Sequence, residues 1–214
     1  MTRLAVPARE DGEWRLIRLQ GGAVLKGGSI LVLCTGNVCR SPYIEMRLRH
    51  DLAGTGIDVT SAGTHALVGR PMDAGSTRLL EVGGVSVQDF RARQLARELV
   101  AEADLVLATA REHRSAAARL YPSAMRTALT LRDLADLLAG VTPADVRSRD
   151  LPGSWVAQVV STARARRALV PARQDGVDVS DPIGLPQAAF VRMANEVELA
   201  LAVIVPVLRG ASER

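Results

Sequence analysis

The chain has 214 residues, 48% apolar and only 3% aromatic, with a formal net charge of +4. That length and composition support one packed domain with some embellishment, on a core built from Leu, Val and Ala. Two cysteines provide no disulfide framework, Arg9, Glu10, Asp11, Glu13 and Arg15 interrupt any signal-peptide core, and the apolar run Leu199 to Leu208 contains Pro206 and is too short to span a bilayer. A cytoplasmic protein with no membrane partner is therefore expected.

In chain order, residues 1–28 stand apart. Trp14 to Leu19 alternates like a strand, and Gly21-Gly22 and Gly27-Gly28 punctuate it, so this segment reads as an N-terminal extension, either a flexible arm or an added hairpin. Residues 29–210 then form the main domain. Strand-like apolar runs at Ile30 to Leu33, Ile57 to Ser61, Leu105 to Thr109 and Arg126 to Leu129 alternate with helical patterns. The helices are expected at Pro42 to Leu52, Asp73 to Val82, Arg93 to Glu102, Arg111 to Leu120, Leu131 to Leu138 and Gln187 to Leu208. Such alternation predicts an α/β fold, a flavodoxin-like four-stranded parallel sheet with helices on both faces. A helical insertion is expected at about 140–180, where Trp155 to Leu169 places Val156, Val159, Val160 and Ala163 on one side. Shaping a pocket rim and carrying a partner surface are both open to it.

The densest signal is Cys34-Thr35-Gly36-Asn37-Val38-Cys39-Arg40-Ser41-Pro42, directly after the first apolar run. Arginine is abundant, with Lys26 the only lysine, so a Cys six positions before an Arg is weak evidence alone. Its context gives it weight. The loop follows a strand and opens a helix, where backbone N–H groups and a guanidinium can surround a tetrahedral oxyanion while Cys34 presents sulfur to its centre. Gly36 and Asn37 tolerate left-handed backbone, and Arg40 supplies a planar fork for two oxygens. Ser41 can cap the helix or donate to the Cys34 sulfur, and Pro42 fits the first helical turn. A cysteine at a helix N-terminus beside a cation falls to a pKa of about 3.5 to 7.5, so a thiolate is expected at Cys34.

Other residues carry less. His50, His65 and His113 lie far apart without ligand spacing, so they read as surface or helix-cap residues, with no metal and no cofactor implied. Arg164 to Arg167 reads as a solvated helix face, and no nucleic-acid-binding pattern is present. The positive net charge permits attraction to phosphate-bearing partners.

On the loop, the chain resembles the low-molecular-weight protein tyrosine phosphatase family, whose signature Cys-x-x-Asn-x-Cys-Arg-Ser-Pro is matched at every fixed position. The resemblance continues through Ser61-Ala62-Gly63-Thr64, Arg93-Gln94-Leu95, Ala103 to Leu107, and Asp181-Pro182 before the last helix. It implies that Cys34 is the nucleophile, Arg40 binds phosphate and stabilises the transition state, and Asp181 is the general acid. Thr35, Gly36, Asn37, Val38, Cys39 and Ser41 complete the phosphate-binding loop. The reaction so implied runs through a phosphocysteine, with Asp181 protonating the leaving oxygen and then activating water, on a phosphorylated protein substrate bearing phosphotyrosine, with inorganic phosphate released. Asp133, Asp136, Asp150, Asp175 and Asp178 are neighbouring acids without the Pro context, and an Asp-Pro pair also occurs in plain turns.

The sequence also departs from that family. Aromatic walls expected of phosphotyrosine-preferring members are replaced by His65-Ala66-Leu67 and Ile183-Gly184. Members acting on phosphoarginine place Thr where Val38 stands, and Val lacks that hydroxyl. No Cys follows Cys39, which argues against a thioredoxin-linked arsenate reductase but leaves one using a small external thiol. Protein arginine phosphatase and a non-catalytic phosphate-binding module are the further alternatives. Cys39 either pairs with the nucleophile under oxidation or packs the helix start.

Overall fold

The computed structural model describes residues 27–87 and 89–212. Residues 1–26, which hold nearly all of the expected N-terminal extension, lie outside the described residues. Four strands, β1 (Gly28–Cys34), β2 (Ile57–Gly63), β3 (Leu105–Ala108) and β4 (Ala128–Thr130), form a parallel sheet in the order β2-β1-β3-β4. Gly28 pairs with Ile57 and Cys34 with Gly63, while Ile30 pairs with Leu105 on the other side of β1. Chain order reverses between β1 and β3. Loops leaving the C-terminal ends of those two strands therefore diverge to opposite faces and leave a crevice, the place where open parallel sheets bind ligands.

Strand residues are buried on both faces, as a parallel sheet requires. Ile30, Val32, Leu105 and Leu107 point into the larger core, with residues of α1 (Arg40–Asp51), α2 (Ala74–Val82), α5 (Leu131–Leu138), α6 (Pro143–Arg147), α7 (Trp155–Ala165) and α8 (Gln187–Arg209). Leu31, Leu33 and Val106 point the other way, with residues of α3 (Arg97–Glu102) and α4 (Arg111–Leu120). The period of two along β1 thus separates two cores. Among the described residues, no helix is long and apolar enough to cross a membrane.

Several elements differ from expectation, each for a tertiary reason. The helix expected from Arg93 starts only at Arg97, because Gly63 N donates to Arg93 O at 3.0 Å and Leu95 N to Gly63 O at 2.8 Å. These bonds hold residues 93–96 extended beside the end of β2. The fourth strand is short and shifted to Ala128–Thr130, after a 3₁₀ turn over Pro122–Arg126. Helix α1 starts at Arg40, which leaves Pro42 inside the first turn.

The insertion helix α7 packs its apolar side into the larger core. Val156, Val159, Val160 and Ala163 are buried in the larger core, Trp155 Nε1 donates to Val207 O at 3.1 Å, and Val156 N to Gly27 O at 3.0 Å. Burying each valine is worth about 1.5–3 kcal/mol, so this face of α7 holds the helix to the core. It ends at Ala165, short of Leu169, which is 80% exposed. Arg166 and Arg167 are half-buried rather than solvated: Arg166 Nη2 donates to Ala139 O at 2.9 Å, and Arg167 pairs with Asp133.

Candidate active site

Cys34 ends β1 and Arg40 begins α1, so the connecting loop lies at the crevice mouth. No side chain caps the first turn of α1 and no acidic residue sits in it, so the positive end of the helix faces the loop without a competing acceptor. Backbone bonds from the next segment clamp the loop: Thr64 N to Cys34 O, His65 N to Thr35 O and Leu67 N to Gly36 O, each 2.9 Å. Gly63 permits this approach, since a Cβ there would lie 2.5 Å from Thr35 O.

Asn37, not Gly36, takes the left-handed conformation, with φ of 54°. Gly36 does not have positive φ, and a Cβ there would make ordinary contacts with Val38 and Leu67. Asn37 is fully buried and every hydrogen-bonding group of its amide is used. Arg93 N donates to Asn37 Oδ1 at 2.9 Å, which fixes the amide orientation, and Asn37 Nδ2 donates to Ser41 Oγ at 2.9 Å and Ser61 Oγ at 2.7 Å. Ser41 Oγ, which accepts from Asn37, also lies 2.9 Å from Cys34 Sγ, and Asn37 N donates to that sulfur at 3.2 Å. Of the two places open to the Ser41 hydroxyl, the structure has it at the sulfur and not at the cap.

Ser61 relays the network onward by donating to Glu45 Oε2 at 2.5 Å. Glu45 is buried, and that burial raises its carboxyl above the usual range, opposed by the Ser61 hydrogen bond and the charge of Arg49, 2.8 Å away. Ser61 and Arg93 stand in segments that carry the family resemblance but were given no role in the site, and nothing in the sequence marks Glu45.

Arg40 is buried and reaches two partners through Nη2: Asp181 Oδ2 at 2.5 Å and Thr35 Oγ1 at 3.2 Å. Asp181 Oδ1 also accepts from Ile183 N at 3.3 Å, so the carboxylate both shapes its turn and faces the arginine. Its segment is pinned on two sides. Val179 N donates to Thr109 O at 2.8 Å, and Ser180 N and Oγ both donate to Glu196 of α8 at 2.8 Å. The neighbouring acids are engaged or distant from the pocket: Asp133 pairs with Arg167, Asp136 with Arg173, Asp178 accepts from Arg111 N, and Asp150 and Asp175 are exposed.

His113 corrects the reading of the histidines as surface or cap residues. It is fully buried on the first turn of α4, with Nε2 2.9 Å from Thr35 Oγ1 and Nδ1 3.1 Å from Thr109 Oγ1. Burial, and then the charge of Arg40, lower its pKa to about 4, so it is neutral at physiological pH and buttresses the loop. Its place just after β3 at the switch point is the signal that could have found it. His50 and His65 are exposed, and His65 lines the pocket.

Cys34, Thr35, Gly36, Val38, Cys39 and Arg40 line one pocket of about 210 Å³, closed by His65, Leu67, Asp181 and Ile183. Asn37 and Ser41 stand behind it as supports. Cys34 and Cys39 are both free thiols. Burial pushes the Cys39 thiol up to about 12, with the charges of Asp73, Cys34 and Asp181 adding to it, so Cys39 is a neutral thiol near pH 7. Leu67 and Ile183, at 44% and 48% exposure, form an aliphatic rim.

Comparison with known proteins agrees with this loop. Etp of Escherichia coli (strain K12), a low molecular weight protein-tyrosine-phosphatase, is 46% identical over 91 residues, covering 42% of this chain and 60% of Etp. The chain thus spans less than two thirds of that relative's length. Wzb of Vibrio vulnificus, solved in complex with benzylphosphonate, has a TM-score of 0.59 and 25% identity over 83% of this chain and 97% of its own. The YwlE arginine phosphatase from Geobacillus stearothermophilus shares the fold, with a TM-score of 0.61 and 24% identity over 83% of this chain and 90% of its own. Residues 29–147, over half of the chain and including the whole loop, match one protein family, and by that match the chain belongs to the low molecular weight phosphotyrosine protein phosphatases.

Proposed function

We propose that the protein is a phosphomonoester hydrolase acting on phosphorylated protein side chains, phosphotyrosine foremost, through a phosphocysteine intermediate. The observation that carries this reading is the meeting of Cys34, Arg40 and Asp181 in one small pocket, with the acid 2.5 Å from the arginine. Asp181 takes up a proton from solvent as it leaves Arg40; Cys34 thiolate then attacks phosphorus as the bond to the leaving oxygen breaks, and Asp181 gives that oxygen its proton. Arg40 turns from Asp181 to the equatorial phosphoryl oxygens, where its fork and the helix N-terminus counter the developing charge. Water then attacks phosphorus, Asp181 takes its proton, the P–S bond breaks, and inorganic phosphate leaves. The Ser41 hydroxyl and Asn37 N–H stabilise the departing sulfur anion. The scheme draws on no cofactor, and two free thiols fit a reducing cytoplasm.

Val38 supports phosphotyrosine over phosphoarginine, since it brings no hydroxyl to the pocket wall. The test is turnover of an aryl phosphate by wild-type and Cys34→Ser protein, with rates on phosphotyrosine, phosphoarginine and arsenate plus thiol from one preparation. Loss of aryl-phosphate turnover in Cys34→Ser and a preference for phosphotyrosine are expected. Unchanged turnover in Cys34→Ser would refute the nucleophile.

A further inference from the structure

A second and larger cavity, about 530 Å³, lies between α4, β4, α5, α7 and residues 172–177, and shares no lining residue with the active-site pocket. Five guanidinium groups line it, those of Arg111, Arg114, Arg164, Arg167 and Arg173, against one carboxylate, Asp133. Arg167 is neutralised by Asp133, and Arg173 by Asp136, with Arg173 Nη2 2.8 Å from Asp136 Oδ1. Arg111 lies against backbone only, donating to Arg173 O at 2.7 Å and Gln174 O at 3.1 Å. Among the described residues, Arg114 and Arg164 have neither a carboxylate within ion-pair distance nor a hydrogen bond from the guanidinium. Arg114 Nε is moreover shut off from water without an acceptor.

This is an unusual concentration of uncompensated charge. Like charges drawn together raise the free energy of the fold, and a donor removed from water without a partner adds about 1–3 kcal/mol. The floor has a different character: Leu129, Leu137 and Val177 are buried apolar residues. Small organic ligands occupy cavities of about 300–1,000 Å³ with mostly apolar walls and a few placed polar groups, and planar guanidinium forks suit phosphate and carboxylate. A floor sunk beneath arginines admits a small molecule, not the convex face of a folded partner.

We infer that this cleft is a second binding site, for a small organic anion that carries two or more negative charges on an apolar frame. Arg114 and Arg164 supply the free forks, Arg111 is held in place by the backbone of residues 173–174, and the apolar floor takes the frame of the ligand. The inference stands apart from the reaction proposed for Cys34, and its test reads binding alone.

The probes are ADP and citrate, titrated calorimetrically into the full-length wild-type protein, Arg40→Ala, and the double variant R114Q/R164Q. One equivalent of at least one probe should bind wild-type and Arg40→Ala protein alike, and about tenfold or more weakly to R114Q/R164Q. Binding lost in Arg40→Ala but kept in R114Q/R164Q would put the anion in the active site and overturn the inference. So would the absence of binding by either probe up to about 1 mM. A readout that needs no folded variant is phenylglyoxal labelling of the wild-type protein, in which the bound probe should protect Arg114 and Arg164. Equal labelling with and without it would count against the site.

Discussion

The floor and the rim of the active-site pocket are built on opposite terms. On the floor, Asn37, Ser41, Cys34 and Arg40 are nearly inaccessible; Asn37 and Arg40 are held by partners far away in sequence, and Ser41 and Cys34 are tied to Asn37. At the rim, Leu67 and Ile183 are about half exposed and aliphatic, with no polar handle to fix a ligand. A floor of this kind suits a tetrahedral oxyanion, whereas a rim of this kind leaves the rest of the ligand to shape and area. The reaction is therefore more constrained than the substrate.

The largest expected effect tests the acid that faces the floor from the mouth of the pocket. Asp181→Ala should slow hydrolysis of a phosphate ester with a poor leaving group by about 10²–10⁴-fold, and one with a good leaving group far less. Steady-state rates against leaving-group pKa measure this, and equal slowing would remove Asp181 from the acid role. Next, Asn37→Ala deletes three hydrogen bonds and the side chain that stabilises a left-handed turn. A loss of about 10²-fold in kcat/KM is expected, with about 1–3 kcal/mol of stability in urea unfolding. A variant with wild-type turnover would show that the turn holds its shape without the network.

His113 gives a pH-dependent test of the same floor. Its folded pKa, about 4, lies below the unfolded value of 6.5, so the unfolded chain takes up the proton first as pH falls. Its contribution is fully present above pH 6.5 and declines toward pH 4, by on the order of 3 kcal/mol in all. The difference in unfolding free energy between wild-type and His113→Gln should shrink over that window. A difference independent of pH would show that the imidazole is not held neutral. The smallest effect belongs to the rim. Leu67→Trp or Ile183→Tyr should lower KM for an aryl phosphate roughly 2–10-fold, from about 0.5–1.5 kcal/mol of ring contact, and leave an alkyl phosphate unchanged.

The contrast also explains what the sequence revealed. Cys34 to Pro42 is contiguous, so strand, turn, ligand and helix start could be read together, and Asp181 was marked by the proline after it. What the supports do was hidden, because Ser61, Arg93 and His113 reach the loop across 24, 56 and 78 positions through single hydrogen bonds. A bond of that sort leaves no periodicity. The buried face of α7 was legible as a pattern, but which surface it would cover depended on β1, α5 and α8 all being in place. Arg93 to Ala96 looked helical because propensity is local, while the bonds with Gly63 that keep them extended are not.

In this resting state the Arg40 guanidinium is already taken by the Asp181 carboxylate, so under the proposed mechanism the free protein carries its own competitor. In that scheme an incoming oxyanion displaces Asp181 from Arg40, and the released carboxylate, once it has taken up a proton from solvent, stands beside the bond to be broken. Grip and readiness are thereby traded against each other through one contact. A chain stripped of that carboxylate would clasp inorganic phosphate more firmly while turning substrate over more slowly, and tight retention of product would then be a mark of impairment.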